Sequence, residues 1–180
     1  LAYLQHIKEV GHGSVLEHAV FGFLVTGISR SCSHELVRHR AGWAFSQLSQ
    51  RYVDESVAEY ICPDVIAEDP LMRARWDYTV SVTHSAYQDL VSMLENHYIA
   101  EPDKTQRRKL ARQAARSVLP NATETKLFVT ANARALRHFI ELRASQHVEP
   151  EIRKLAIKMW EILVVEAVNL FGDYRKVGLP

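Results

Sequence analysis

Only two cysteines, six prolines and seven glycines occur in these 180 residues. Cys32 and Cys62 lie far apart and form no CxxC pair, which excludes a disulfide framework. The expected compartment is a reducing one, the cytoplasm, with both thiols packed inside. No run of about 18 apolar residues is present, which excludes a membrane-spanning helix. The opening Leu1-Ala2-Tyr3-Leu4 has no basic stretch and no small-residue cleavage site, so no secretory signal is expected. It also lacks an initiator Met, and the expectation is a chain that starts inside a longer protein. An excess of one charge is missing as well: 22 basic against 21 acidic side chains leave +1, poor support for general nucleic-acid binding. There is no internal repeat, low-complexity tract or linker.

What is present suits one soluble domain. Hydrophobic residues make up 47% and charged residues 24%. A chain of this length buries roughly two-thirds of its unfolded surface and needs no covalent or metal staple. Arg outnumbers Lys 15 to 7, which favours forked recognition of phosphate or carboxylate.

Periodicity outlines the elements. Apolar residues at Leu1, Leu4, Ile7 and Val10 predict a helix that Gly11 ends. Residues 19–25 are apolar, β-branched and aromatic, and read as a buried strand. Ser29 or Ser31 is placed to cap a helix running towards Arg40. Residues 41–50 show no clear period and read as a loop, and 51–61 as a mixed segment with a short strand. A long helix is predicted from Pro70 to Tyr98, and another from Lys104 to Val118, stopped by Leu119-Pro120. Thr123 to Thr130 alternates as a strand, with Leu127 and Val129 on one face. Asn132 is placed to cap a helix through Arg143, and Pro150 to open a helix over 151–171. The fold class is therefore α+β: a helix-rich single domain with a small, largely antiparallel sheet that needs helices or partner subunits to cover it.

The cluster His34-Glu35-Leu36-Val37-Arg38-His39-Arg40 nearly matches the zinc motif HExxH. Position i+4 from His34 is Arg38, and His39 lies about 140° round the helix, off the shared face. No metal site is expected. Arg51, Arg116, Arg134, Arg137 and Arg143 sit in apolar or small-residue segments and must meet an anion or hydrogen-bond acceptors. A phosphorylated ligand is one resolution; salt bridges to Glu17, Glu35, Glu124 or Glu141 are the other. Ser46-Gln47-Leu48-Ser49-Gln50-Arg51 gathers hydroxyls, amides and a guanidinium suited to ribose and phosphate. Ser49 lacks the GxSxG context of a nucleophile. Gly11-His12-Gly13-Ser14 is a turn whose glycines permit close approach of a ligand or serve a plain helix-to-strand junction.

Taken together these motifs resemble one family. Arg38-His39-Arg40, then eight residues, then Ser49 before Gln50-Arg51-Tyr52 resembles the signature of flavin-dependent thymidylate synthases (ThyX). His12-Gly13-Ser14-Val15-Leu16-Glu17-His18, Arg116-Ser117-Val118-Leu119-Pro120, Asn132-Ala133-Arg134-Ala135-Leu136 and Leu142-Arg143-Ala144-Ser145-Gln146-His147 resemble further blocks of that family, in its order. The resemblance implies methylation of dUMP to dTMP, with FAD as cofactor and NADPH and 5,10-methylenetetrahydrofolate as co-substrates. It also implies a homotetramer with shared active sites, and no nucleic-acid or membrane partner.

Carried over by position, the resemblance assigns His12, Ser14, Glu17, Arg38, His39, Arg40, Asn132, Arg134 and His138 to FAD. It assigns Glu35, Arg38, Gln47, Ser49, Gln50, Arg51, Arg116 and Arg143 to dUMP, with Arg143 as the catalytic residue at the uracil ring. Some members have Gln at the Glu35 position, Glu at the Gln47 position and Asn at the His138 position. Residues 1–180 read as a single domain of this family lacking its N-terminal strand-helix region. The alternative is a non-catalytic Arg-rich nucleotide or nucleic-acid binding module, suggested by Arg107, Arg108, Lys109 and Arg112.

Overall fold

The computed structural model describes residues 2–176. In chain order the elements are α1 (Ala2–Glu9), a 3₁₀ turn (Gly13–His18), β1 (Val20–Ser29), α2 (Arg30–Leu36), β2 (Trp43–Gln47), a 3₁₀ turn (Glu55–Val57), α3 (Asp64–Ala67), α4 (Pro70–His97) and α5 (Lys104–Ala115). A 3₁₀ turn (Arg116–Val118), β3 (Glu124–Asn132), α6 (Ala133–Arg143), α7 (Pro150–Glu166), α8 (Val168–Phe171) and a final 3₁₀ turn (Gly172–Lys176) follow. Helices dominate, and the strands form one antiparallel sheet in the order β1-β3-β2, so the fold is α+β.

Local chemistry explains most boundaries. The Asp69 carboxylate accepts the N–H groups of Leu71 and Met72 at 2.8 and 3.0 Å, capping α4 with Pro70 in its first turn. Asn132 accepts the Ala135 N–H at 2.9 Å and caps α6. Gly11 takes φ +74° beyond α1, where the His12 N–H bonds the Ile7 carbonyl at 3.0 Å. Leu1 of the predicted first helix lies outside the described residues.

Six expectations are corrected. Residues 43–47, expected within a loop, form β2, in which Trp43 and Phe45 stack at 5.6 Å. The segment 51–61 holds a 3₁₀ turn and a single bridge from Tyr60 to Thr123 rather than a strand. β1 is only partly buried, with Val20 and Leu24 59% and 71% exposed, because it is an edge strand with one uncovered face. Of the two cysteines only Cys32 is buried, and Cys62 is half-buried. The helix from residue 30 also stops at Leu36, leaving Arg38-His39-Arg40 in the turn and loop that follow. Ala167, with φ −140° and ψ 55°, breaks the last predicted helix into α7 and α8.

The chain divides into two compact units. Unit 1 comprises Leu1–Val25, Cys32–Ser46 and Leu127–Pro180; unit 2 comprises Thr26–Ser31 and Gln47–Lys126. In unit 1, α6 packs on α7 and on the turn Gly13–His18. Its apolar stripe Ala133, Leu136, Phe139 and Ile140 is fully buried with Leu36, Leu127, Val129 and Ile152. Each large side chain so buried contributes roughly 1.5–3 kcal/mol before the ordering cost. The stripe leaves Arg134 and His138 exposed on the other side of α6. In unit 2, α4 packs on α5, with Tyr87, Ala111 and Ala115 fully buried.

Candidate active site

Helix α6 organises the sequence-assigned residues of unit 1. At its start, Asn132 spends its side-chain oxygen on the helix cap while its N–H bonds the Gly42 carbonyl at 3.0 Å. Gly42 has φ +76°, and a Cβ there would lie 2.6 Å from the Asn132 amide nitrogen, so only glycine fits. Two residues on, Arg134 pairs with Glu17 at 2.6 Å. A Cβ on Gly13 would lie 3.0 Å from the Arg134 Nε. The close approach that Gly13 permits is thus made by Arg134. His12, Ser14, Arg38, Arg40 and His138 are exposed.

At the far end of α6, Arg143 Nη1 donates to Glu35 at 3.0 Å and Nε donates to His39 Nε2 at 3.2 Å. A guanidinium only donates, so this His39 nitrogen is bare and the imidazole is neutral. His39 meets Phe139 edge-on at 5.0 Å and tilts against Trp43 at 6.2 Å. Burial, then the charge of Arg143, then His138 hold its pKa below the ordinary 6.5. These residues come from α2 and its exit, β2 and α6, far apart in sequence.

Unit 2 holds Gln47, Ser49, Gln50, Arg51 and Arg116. Gln47 donates to the Thr125 hydroxyl at 3.1 Å. The Ser49 carbonyl accepts the N–H groups of Tyr52 and Val53, both at 3.0 Å, and its hydroxyl accepts the Arg51 N–H at 3.4 Å. A tight turn results, with Gln50 buried inside it. Arg51 Nε is buried and bonds no protein atom among the described residues. Such an orphaned donor is free to meet an acceptor from outside the chain. Arg30, which the sequence reading did not single out, belongs with this set. Burial lowers its pKa, the Glu55 charge opposes that, and the Arg116 charge adds to it. Its signal in the sequence was an arginine between two serines at a strand-helix junction.

A cavity of about 240 Å³ in unit 2 has Asp54, Glu55, Glu59 and Glu124 in its wall against Lys126. Four carboxylates make it a poor host for phosphate. Arg137 is not a ligand-binding arginine: it forks onto both oxygens of Asp173 at 2.8 and 2.6 Å and donates to the Leu170 carbonyl. Of the acidic partners expected for the arginines, Glu17 and Glu35 are used. Glu124 instead accepts the Gly27 N–H, and Glu141 the Tyr174 hydroxyl.

Comparison with known proteins decides the family. The family model for "Thymidylate synthase complementing protein" matches residues 1–167. A flavin-dependent thymidylate synthase of Mycolicibacterium gilvum is 50% identical over 177 residues, covering 98% of this chain and 70% of that protein. One from Mycobacteroides abscessus is 50% identical over 96% of this chain and 69% of its own length. The protein of that name from Mycobacterium tuberculosis is 49% identical over 98% of this chain and 70% of its own. This chain belongs to the flavin-dependent thymidylate synthase family.

Family membership sets aside the non-catalytic module. The basic face that suggested it is partly engaged within the chain: Arg112 pairs with Asp54 at 2.7 Å, and Arg107 donates to the Ile99 carbonyl at 3.4 Å. Among the described residues no helix is long and apolar enough to cross a membrane.

Proposed function

We propose that this chain methylates dUMP to dTMP with FAD as its flavin, NADPH as the reductant and 5,10-methylenetetrahydrofolate as the carbon donor. In this reading residues 1–180 act as one synthase domain in a cytoplasmic homotetramer. The observation that carries it is 50% identity to a flavin-dependent thymidylate synthase across 98% of the chain.

The donor sets fit the two ligands. Exposed Arg38, Arg40 and Arg134, with Ser14 and Asn132, suit the anionic pyrophosphate of FAD, and His12, Glu17, His39 and His138 complete that assignment. The buried, unpartnered Arg51 Nε, with Ser49, Gln50 and Arg116, suits the dUMP phosphate; Gln47 and Arg38 are assigned to the same nucleotide. When bound, the flavin supplies hydride chemistry that no side chain offers.

The chain's own contribution is charge and position. Uracil C5 attacks an electrophile poorly until negative charge builds on the ring. A guanidinium at the ring oxygens stabilises that charge, and Arg143 is assigned this role. Glu35 and His39 hold Arg143 in place through Nη1 and Nε. A neutral His39 orients Arg143 without adding a second positive charge. Cys32 takes no part: burial, then Glu151, Glu149 and Glu35, push its thiol up to about 12, so it is not a nucleophile near neutral pH. Ser49 is a substrate ligand.

The test is the visible absorption spectrum after incubation with FAD and removal of unbound cofactor. A retained flavin spectrum that Arg134→Ala diminishes is expected. A protein that retains no flavin overturns the flavin assignment.

A further inference from the structure

Helix α5 faces the turn that carries Arg51. Arg112, on the last turn of α5, donates from Nη1 to the Tyr52 carbonyl at 2.8 Å and from Nη2 to Asp54 Oδ2 at 2.7 Å. Its own side chain is only 15% exposed, although Asp54 is 55% exposed. Asp54 Oδ1 accepts the Ser56 N–H at 3.1 Å and caps the turn Glu55–Val57. The Arg112 carbonyl in turn accepts the backbone N–H of Arg116, where α5 ends. One residue is therefore tied by its backbone to Arg116 and by its side chain to the residues on the C-terminal side of Arg51. On the other side the same turn is closed by Ser49.

We propose that Arg112 is a positioning residue for substrate: its forked contact to Tyr52 and Asp54 sets the spacing between the guanidiniums of Arg51 and Arg116 and so tunes the chain for the phosphate of dUMP. The inference rests on the proposed dUMP site. A fork is needed because two acceptors of different kinds, a carbonyl and a carboxylate, are held at once; a lysine ammonium is a point charge and cannot replace it. Tyr52 is steadied further by Lys109 Nζ, 5.3 Å from its ring, and by Arg51 at 5.8 Å. Every one of these contacts lies within unit 2.

The test is steady-state kinetics of the flavin-loaded enzyme with dUMP and with deoxyuridine, which lacks the phosphate. Arg112→Gln is expected to raise KM for dUMP about tenfold, the loss typical of one charge-assisted contact set, with kcat within about twofold. Flavin content and KM for deoxyuridine stay unchanged, and Arg112→Lys falls between. Arg137→Gln, which breaks the Arg137–Asp173 pair, lowers the melting temperature and leaves KM for dUMP alone. If Arg51→Gln raises KM for dUMP but Arg112→Gln does not, the positioning role is overturned and the phosphate site stands. If Arg51→Gln changes nothing, the site reading fails and the inference with it. If Arg112→Gln lowers kcat, flavin content and melting temperature together with no selective effect on dUMP, Arg112 is merely structural. Should that variant not fold, Asp54→Asn carries the test, since it keeps the Ser56 acceptor and removes the charge; a rise in KM for dUMP of about threefold is expected, and no rise overturns the proposal.

Discussion

The Nε of Arg143 donates to the Nε2 of His39 at 3.2 Å, so the imidazole accepts from a cation and stays neutral at that nitrogen. Protonating His39 would remove the acceptor and set a second positive charge beside Arg143.

A pH dependence follows. The folded-state pKa of His39 lies below its ordinary 6.5, through burial, Arg143 and His138 in that order. The unfolded chain therefore binds more protons between the two values, and unfolding free energy falls as pH drops below about 6.5 towards the folded pKa. Above that range the effect vanishes. Urea unfolding from pH 5 to 8 is expected to show this acid-side decline, and His39→Gln, which keeps an acceptor for Arg143, to flatten it. An unchanged profile in the variant would assign the decline to other groups.

Arg143→Ala is expected to lower dTMP formation by at least about 100-fold, the effect of removing a donor that stabilises transition-state charge. Flavin content is expected to remain close to that of the unsubstituted chain. Single-turnover product analysis with a flavin spectrum on the same sample checks both. Ordinary turnover would remove Arg143 from the chemistry.

Ser49→Ala deletes the hydroxyl that accepts the Arg51 N–H at 3.4 Å. A lost hydrogen bond of roughly 1 kcal/mol predicts about a fivefold weaker dUMP complex, with turnover persisting at saturating dUMP. Titration calorimetry measures the first and initial rates the second. Complete loss of chemistry, or a covalent Ser49 adduct, would contradict the ligand role.

Gly42 and Gly11 both have positive φ, at +76° and +74°, but only Gly42 has neighbours that a Cβ would strike. Gly11→Ala is expected to cost about 1 kcal/mol of backbone strain. Gly42→Ala is expected to cost about 2 kcal/mol or more and to loosen flavin binding, because it displaces the Asn132 cap. Equal melting temperatures for the two variants would mean that the Asn132 contact matters little.

Much of the fold was legible in the sequence, for local reasons. Pro70, Asn132 and Pro150 mark helix starts by chemistry that acts within three residues, and the structure adds the Asp69 cap before Pro70. Leu127 and Val129 alternate plainly because β3 is the central strand with one buried face. β2 was not legible: five residues beginning at Trp43 carry too short an alternation, and the pairing with β3 that makes them a strand is distant in sequence. β1 read as buried because its apolar residues say nothing about whether a face is covered. The site divides the same way. Its motif residues were found by order and type, whereas the Glu35 partnership of Arg143 spans 108 positions and the Asp173 partnership of Arg137 spans 36. Arg30 was not singled out and Arg112 read only as part of a basic helix face, because their roles arise from packing against other segments.

The most direct test of the account is chromatographic detection of dTMP after the purified protein is incubated with FAD, NADPH, dUMP and 5,10-methylenetetrahydrofolate. The expected result is dTMP formation that requires dUMP and bound flavin and disappears in Arg143→Ala. A flavin-loaded protein that binds dUMP yet yields no dTMP would contradict it.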